Sequence, residues 1–168
     1  MYGGICASET EGQLQGSASG VKVDPSVKKD YDDMFNRHKF SYLIFRISDD
    51  DTTIICESKG EKDAPYKDFS EEMRKAVGDG KECRYGVVDV AVDVPRQGTD
   101  SMSHINKVVF VQFCPDEAPV RRRMLYASSV RALKATLGLE SLLQIQASDM
   151  SDIDEKAVKH ELMSQQRR

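Results

Sequence analysis

The chain has 168 residues, of which 39% are hydrophobic, and a formal net charge of −4 at pH 7. This length suits one globular domain with its own core. No apolar run approaches the roughly 20 residues that a membrane-spanning helix needs, and the N-terminus lacks the basic and then apolar order of a signal peptide. We therefore expect a cytoplasmic protein rather than a membrane-inserted or secreted one.

The N-terminal segment differs in composition from the rest of the chain. Residues 1–17 show no periodicity, are rich in glycine, serine and glutamate, and are interpreted as a flexible extension. Gly16-Ser17 resembles a junction left by a cloning vector. The folded domain is expected to occupy residues 18–168.

Helix and strand patterns alternate along this domain. Asp24 is expected to cap the first helix, with Pro25 at its first position, and Ser151 is expected to open the last helix through a capping-box-like pattern. The remaining helices are predicted over residues 66–77 and 119–137, and the strands over 40–47, 52–57, 83–94, 107–113 and 141–147. Hairpins imply antiparallel pairs, and the helix before the last strand permits a parallel crossover. The prediction is a single α/β domain with a five-stranded mixed sheet and helices packed on both faces.

The helix predicted over residues 119–137 has an unusual charge. Residues 1–118 carry −7, from 15 basic and 22 acidic residues, whereas residues 119–139 carry +5 and no acidic residue. An apolar stripe at helical spacing lies in its second half and comprises Tyr126, Val130, Leu133 and Leu137. Three consecutive arginines in the first half spread about 100° apart around a helix, so they cannot all lie on one side. Half of this helix is therefore expected to pack and half to be presented.

The chain contains no recognisable catalytic motif. It has no phosphate-binding loop, dinucleotide-binding fingerprint, zinc-protease motif or nucleophile elbow. Cys114 precedes Pro115 with no base nearby in sequence, so it is interpreted as a buried strand-end thiol rather than a nucleophile. The four cysteines are widely spaced, and we expect neither a metal site, a cofactor nor a disulfide framework. An enzyme is therefore not predicted.

Three interpretations of the arginine cluster are compatible with the residues alone. It could be a solvated helix face, a nucleic-acid contact or a docking surface for an acidic protein partner. The acidic balance of the chain and the lack of interleaved stacking aromatic residues speak against nucleic acid. Arginine and methionine are enriched in protein interfaces, which favours the protein partner.

The segment PDEAPVRRRMLYASSVRAL closely resembles the signature of the actin-depolymerizing factor (ADF)/cofilin family. Residues 82–90 (ECRYGVVDV) and 143–154 (LQIQASDMSDID) resemble two further segments of that family, in the same order. Ala18-Ser19-Gly20-Val21 resembles its mature N-terminus. The resemblance is closest to muscle-type invertebrate members, and it implies a single ADF-homology domain over residues 18–168.

The resemblance implies a monomeric, non-enzymatic protein without a cofactor that binds actin monomers and filaments. Such a protein severs or depolymerises filaments and promotes actin turnover in the cytoplasmic actin cytoskeleton, and its long helix enters the cleft between actin subdomains 1 and 3. The residues that match the monomer-contact motif are Ser19, Gly20, Arg121, Arg123, Met124 and Ser129. A filament-binding surface is expected at Arg96, Lys107, Lys159, Arg167 and Arg168.

The resemblance also implies regulation. Ser19 matches the family's phosphorylation site, which a kinase and a phosphatase would control, and the added negative charge should repel an acidic partner. Phosphoinositides are expected to compete through Arg121, Arg122, Arg123 and Lys134. The alternative function is a phosphoinositide- or nucleic-acid-binding module that uses the basic helix 119–137.

Overall fold

Six strands form one mixed sheet at the centre of the fold, in the order β1-β3-β2-β4-β5-β6. The computed structural model describes residues 20–78, 80–96, 98 and 101–166, with only the backbone of residue 166, so the predicted extension lies outside the described residues. The strands are β1 (Lys22–Val23), β2 (Tyr42–Ile47), β3 (Thr53–Lys59), β4 (Arg84–Pro95), β5 (Met102–Phe113) and β6 (Leu143–Ala147). The helices are α1 (Pro25–Arg37), α2 (Tyr66–Val77), α3 (Val120–Leu137) and α4 (Glu155–Gln166), with a 3-10 turn over Met150–Ile153.

The mixed sheet and its crossover confirm the predicted fold class. The four central strands pair antiparallel, while β6 lies parallel to β5 after the crossover through α3. The predicted number of five strands is one too few, because β1 adds a short parallel strand beside β3. Two residues are too short to give a periodic signal, so only the hydrogen bonds to β3 reveal this strand.

Helices cover both faces of the sheet, as predicted. On one face, α1 and α3 pack through Tyr31, Tyr126 and Leu133 against strand residues such as Val87. On the other face, α2 and α4 pack through Phe69 and Leu162 against the opposite set of strand residues. Successive residues of β4 serve the two cores in turn, because side chains alternate across a strand.

The hairpin of β4 and β5 extends beyond its neighbours in the sheet. The strand β2 pairs with β4 only as far as Val88, and β6 pairs with β5 only from Val109 onward. Residues 89–95 and 102–108 therefore form a two-stranded ribbon, which we call the β4–β5 ribbon. The strand β5 was predicted to start at residue 107, whereas it starts five residues earlier, at Met102. The apolar residues of segment 102–106, Met102 and Ile105, are three positions apart, so they do not give the alternation that indicates a strand.

The predicted N-terminal cap of the first helix is confirmed, whereas that of the last helix is not. Asp24 caps α1 and accepts a hydrogen bond from the Ser26 N–H at 3.0 Å, and Pro25 opens the helix, as expected. The predicted cap of the last helix at Ser151 is wrong. Asp149 instead caps the 3-10 turn in a capping box with Asp152, and α4 follows at Glu155.

Candidate functional site

The basic helix α3 is fixed to the sheet through Tyr126, which is fully buried. Its hydroxyl accepts a hydrogen bond from the backbone N–H of Ile47 at 2.9 Å. The Tyr85 hydroxyl donates to the backbone carbonyl of Tyr126, and the two rings lie 5.0 Å apart. Burial raises the pKa of both phenols, so both remain neutral donors or acceptors near neutral pH. These bonds set the rotation of α3 about its own axis.

That rotation presents one face of α3 to solvent. Val120 and Met124, one turn apart, are 60% and 66% exposed, although both are apolar. Arg121, Ser128 and Arg131 are also exposed, and at 100° per residue they fall within about 60° of Met124. We call these five residues the α3 outer face. An exposed apolar strip flanked by cationic side chains is typical of a protein-docking surface.

The arginine triplet divides into residues with different environments. Arg121 keeps 75% of its side chain exposed and contacts Asp51 at 2.7 Å, whereas Arg122 is 20% exposed and contacts the other oxygen of the same carboxylate. The guanidinium of Arg122 also lies 5.4 Å from the centre of the Tyr126 ring. Arg122 therefore anchors the start of α3, while Arg121 faces outward.

Arg123 lies at the edge of the presented region. Its Nε donates a hydrogen bond at 3.1 Å to the carbonyl of Ala118, just before the helix. Its side chain is half-buried, and no ion pair in the described part of the chain includes it. Part of the Arg123 guanidinium thus remains available beside the outer face.

Gly20 lies at the same end of the molecule as Arg121. The backbone N–H of Lys22 donates to the Thr52 carbonyl at 2.9 Å, so β1 begins beside the turn that carries Asp51, and Gly20 precedes Lys22 by two residues. Gly20 is exposed, with φ +81°, a value that favours glycine. Ser19 precedes Gly20 but lies outside the described residues.

Ser129 does not belong to the surface that the sequence assigned to it. Its relative exposure is 0%, because it lies on the sheet-facing side of α3. The exposed serine of the pair is Ser128, whose hydroxyl donates to the Leu125 carbonyl at 3.2 Å. Helical spacing from Tyr126 distinguishes the two, since Ser129 follows this buried residue by three positions. The same spacing from Met124 would also have found Val120, Ser128 and Arg131.

The residues predicted to contact a filament lie on two elements. Arg96 and Lys107 are exposed, Arg96 at the tip of the β4–β5 ribbon and Lys107 near its base. Lys159 lies on α4 and forms an ion pair with Glu155 at 3.1 Å. Lys107 and Gln165, near the end of α4, line one surface cavity of about 500 Å³, so ribbon and helix meet there. Arg167 and Arg168 lie beyond the described residues.

The four residues predicted to bind phosphoinositides do not converge on one site. Arg122 is ion-paired and packed on Tyr126. Lys134 donates to the Gln144 side chain at 2.8 Å, which ties it to β6. It follows Arg123 by eleven residues, about 16 Å along a helix. Of the four, Arg121 is exposed and Arg123 is half-buried, and two residues apart on a helix they point about 160° apart.

Among the described residues, no helix is both long and apolar enough to cross a bilayer. No group of three or more histidine, cysteine or carboxylate side chains in that part of the chain is placed to hold a metal ion.

Comparison with known proteins identifies what this arrangement resembles. The family model described as "Cofilin/tropomyosin-type actin-binding protein" matches residues 20–163. Actin-depolymerizing factor 2, isoform c, of Caenorhabditis elegans is 67% identical over 150 residues, which cover 89% of this chain and 99% of that protein. Actin-depolymerizing factor 1, isoforms a/b, of the same organism is 35% identical and covers 83% of this chain and 71% of that protein.

Solved structures agree with the sequence comparisons. The solution structure of the ADF-like UNC-60A protein of Caenorhabditis elegans has a TM-score of 0.74 and 31% identity, covering 88% of this chain and 97% of that one. The crystal structure of Streptomyces griseoflavus cofilin has a TM-score of 0.67 and 26% identity, covering 83% and 94%. The expected resemblance to invertebrate ADF proteins is therefore confirmed.

Proposed function

Because the chain belongs to the cofilin/tropomyosin-type family of actin-binding proteins, we propose that it binds actin monomers and filaments and depolymerises or severs filaments. It thereby promotes actin turnover in the cytoplasmic actin cytoskeleton. The observation that carries this proposal is the α3 outer face, in which two exposed apolar side chains lie beside outward arginines on a helix that the sheet holds rigidly.

The docking chemistry follows from this face. Met124 is unbranched and polarisable, so it adapts to an irregular apolar cleft, and Val120 adds apolar area one turn earlier. Arg121 and Arg123 flank this strip and supply charge-assisted hydrogen bonds to acidic groups. We propose that α3 enters the cleft between actin subdomains 1 and 3 along this strip.

Asp51 gives the exposed arginine a fixed resting position. Its carboxylate contacts Arg121 and Arg122 together, so the free protein holds Arg121 against the turn between β2 and β3. An exposed ion pair is weak, about 0–1 kcal/mol. A carboxylate on actin can therefore replace Asp51 as the partner of Arg121, while the less exposed Arg122 stays paired.

The monomer-binding proposal is tested by the double variant Arg121→Ala, Arg123→Ala. Loss of two desolvated charge contacts should weaken binding to actin monomers by about tenfold or more, since each such contact is typically worth over 1 kcal/mol. The affinity is measured with fluorescently labelled monomeric actin. The matched control is Lys67→Ala, Arg74→Ala, which removes two exposed charges from α2 on the opposite face. Equal affinity in both variants would refute the site.

Ser19 is proposed as a phosphorylation switch under the control of a kinase and a phosphatase. It directly precedes Gly20, and two residues later Lys22 is hydrogen-bonded to Thr52, the neighbour of the arginine-paired Asp51. A phosphate at Ser19 adds about −1.5 to −2 charge, which opposes docking of an acidic partner at this end of α3. We expect Ser19→Glu to lower actin affinity several-fold and Ser19→Ala to leave it unchanged, as measured by co-sedimentation. Equal affinity of the two variants would exclude the switch.

The filament contact is proposed for the second surface, which joins the β4–β5 ribbon to the C-terminal helix. Arg96, Lys107 and Lys159 lie there, and residues 167–168 follow α4 directly. We do not propose a separate lipid-binding function for α3, because its four predicted basic residues do not converge on one site and Arg122 and Lys134 are tied to other side chains.

A further inference from the structure

Two of the free cysteines lie next to each other, although 30 residues separate them in sequence. In the antiparallel pairing of β4 with β5, Arg84 is opposite Phe113, so one step further Cys83 is opposite Cys114. The two thiols lie close enough for each to shift the pKa of the other. The fold therefore brings together a dithiol pair that the spacing in the sequence conceals.

The position of the pair within the ladder suits a disulfide. The backbone N–H of Cys114 donates to the Ala147 carbonyl on β6 at 2.8 Å and thus points away from β4. Cys83 and Cys114 consequently occupy a non-hydrogen-bonded position, where opposing Cα atoms lie about 4.5 Å apart. Disulfides span Cα separations of about 4.4–6.8 Å, so the strands need little movement to close the bond.

The two sulfurs differ in access to solvent. Cys83 is completely buried. Cys114 is half-buried and lines a polar surface pocket of about 250 Å³ together with Gln112, Gln146 and Ser148. A small polar oxidant can therefore reach Cys114 first, and Cys83 only through Cys114.

The pKa shifts of the two thiols also indicate that Cys114 is oxidised before Cys83. The neighbouring Cys83 thiol lowers the pKa of the Cys114 thiol against the opposing effect of burial, with help from Gln112 and the Arg123 guanidinium. The proximity of Cys114 in turn raises the pKa of Cys83. Burial raises the pKa of the other described free cysteine, Cys56, to about 11. Since the thiolate is the reactive form, Cys114 is the most nucleophilic of the three.

We propose that Cys83 and Cys114 form a reversible peroxide-sensitive site, in which Cys114 is oxidised first and Cys83 closes an intramolecular disulfide. The Cys114 thiolate attacks one oxygen of hydrogen peroxide, the O–O bond breaks, and hydroxide leaves, giving a sulfenic acid. The Cys83 sulfur attacks the sulfenic sulfur, and the hydroxyl leaves as water with the proton of the Cys83 thiol. The two thiols supply two electrons, and one peroxide becomes two waters.

The location links this site to the α3 outer face. Cys114 begins the connection 114–119 that leads into α3, and Arg123 hydrogen-bonds back to Ala118 in that connection. A bond between Cys83 and Cys114 would tie the base of this connection to the start of β4. The modification is distinct from actin binding and does not depend on it.

The full chain is treated with hydrogen peroxide, blocked with N-ethylmaleimide in denaturant, digested and analysed by non-reducing mass spectrometry. We expect a cross-linked pair of peptides containing Cys83 and Cys114, lighter by two hydrogens and separated by dithiothreitol. Cys114 should react at least about tenfold faster than Cys56. Equal reactivity of these two cysteines, or pairing of Cys114 with Cys6 or a second molecule, would overturn the proposal.

Two matched variants separate the roles of the pair. In Cys83→Ser, Cys114 should stop at the sulfenic acid, which dimedone traps, whereas Cys56→Ser should still form the cross-link. Cys83→Ala serves as a second variant if serine disturbs the buried site, and circular dichroism verifies that each variant is folded. A lack of dimedone adduct in both folded Cys83 variants would contradict Cys114 as the first site of oxidation.

Discussion

Neighbouring residues of one type have different physical roles in this protein. Arg121 and Arg122 contact the same carboxylate of Asp51, yet their side chains are 75% and 20% exposed. The difference arises because successive residues of a helix point about 100° apart. Arg122 therefore packs over Tyr126 and stabilises the helix, while Arg121 remains available to a partner.

The carboxyl of Asp89 is expected to make the stability of the protein depend on pH. Its Oδ1 is buried and has no hydrogen-bond partner among the described residues. Burial raises the pKa of this carboxyl, and the positive charge of His38 opposes that rise only in part. The native state therefore binds a proton at a higher pH than the unfolded state, so the contribution of Asp89 to stability increases as the pH falls.

Asp89→Asn removes this carboxylate while keeping the side-chain shape. We expect the variant to be more stable at pH 7 by about 1 kcal/mol, because it removes a negative charge from a half-buried site that water screens only in part. The advantage should shrink as the pH falls toward about 4, the ordinary range for aspartate. Urea unfolding at several pH values measures it. Asp116→Asn, on an exposed carboxylate, is the control, and an equal gain there would contradict the assignment.

Within the helix α3, Ser128 is exposed and Ser129 is buried, so the two serines distinguish the α3 outer face from the side that packs on the sheet. Ser128→Glu should leave the protein stable and weaken actin binding several-fold, because it adds negative charge to the α3 outer face. Ser129→Glu should destabilise the protein by several kcal/mol, since it buries an unpaired charge against the sheet. Monomer affinity and thermal unfolding are measured for both.

The control for this pair is Thr136→Glu, an exposed position of α3 about 120° from Met124 around the helix. Its actin affinity and stability should remain close to those of the parent protein. If Ser128→Glu bound actin as well as Thr136→Glu did, the α3 outer face would not be the contact.

The elements that local patterns define were predictable, and those that depend on tertiary contacts were not. Periodicity located α3 and its glycine cap at Gly138, which has φ +74°. The strand β1 and the first five residues of β5 lack an alternating apolar pattern, and only their pairing with a neighbouring strand defines them. The burial of Ser129 could be inferred from its spacing to Tyr126. The proximity of Cys83 and Cys114 could not be inferred from the sequence, because it depends on the register between β4 and β5.

At the scale of the whole molecule, the sheet separates two candidate surfaces. The α3 outer face lies on the side of the sheet that α1 and α3 cover. The β4–β5 ribbon projects beyond the sheet and packs one face on α4 through Val90 and Leu162. Under the proposed function, an actin monomer contacts only the first surface, and a second actin subunit of the filament contacts the other. Because the two surfaces are separate, a substitution on the ribbon can weaken filament binding without weakening monomer binding.

Lys107→Gln tests this separation, because it removes the charge near the base of the ribbon and keeps most of the side-chain stem. We expect co-sedimentation with filaments to weaken several-fold, about 1 kcal/mol, while the affinity for monomers stays unchanged. The control is Lys67→Gln, at an exposed lysine on α2, which should affect neither measurement. If the ribbon contacts the filament, Lys107→Gln should lower the affinity for filaments but not the affinity for monomers. If Lys107→Gln lowered both equally, the ribbon would belong to the monomer site, and one continuous surface would replace the two.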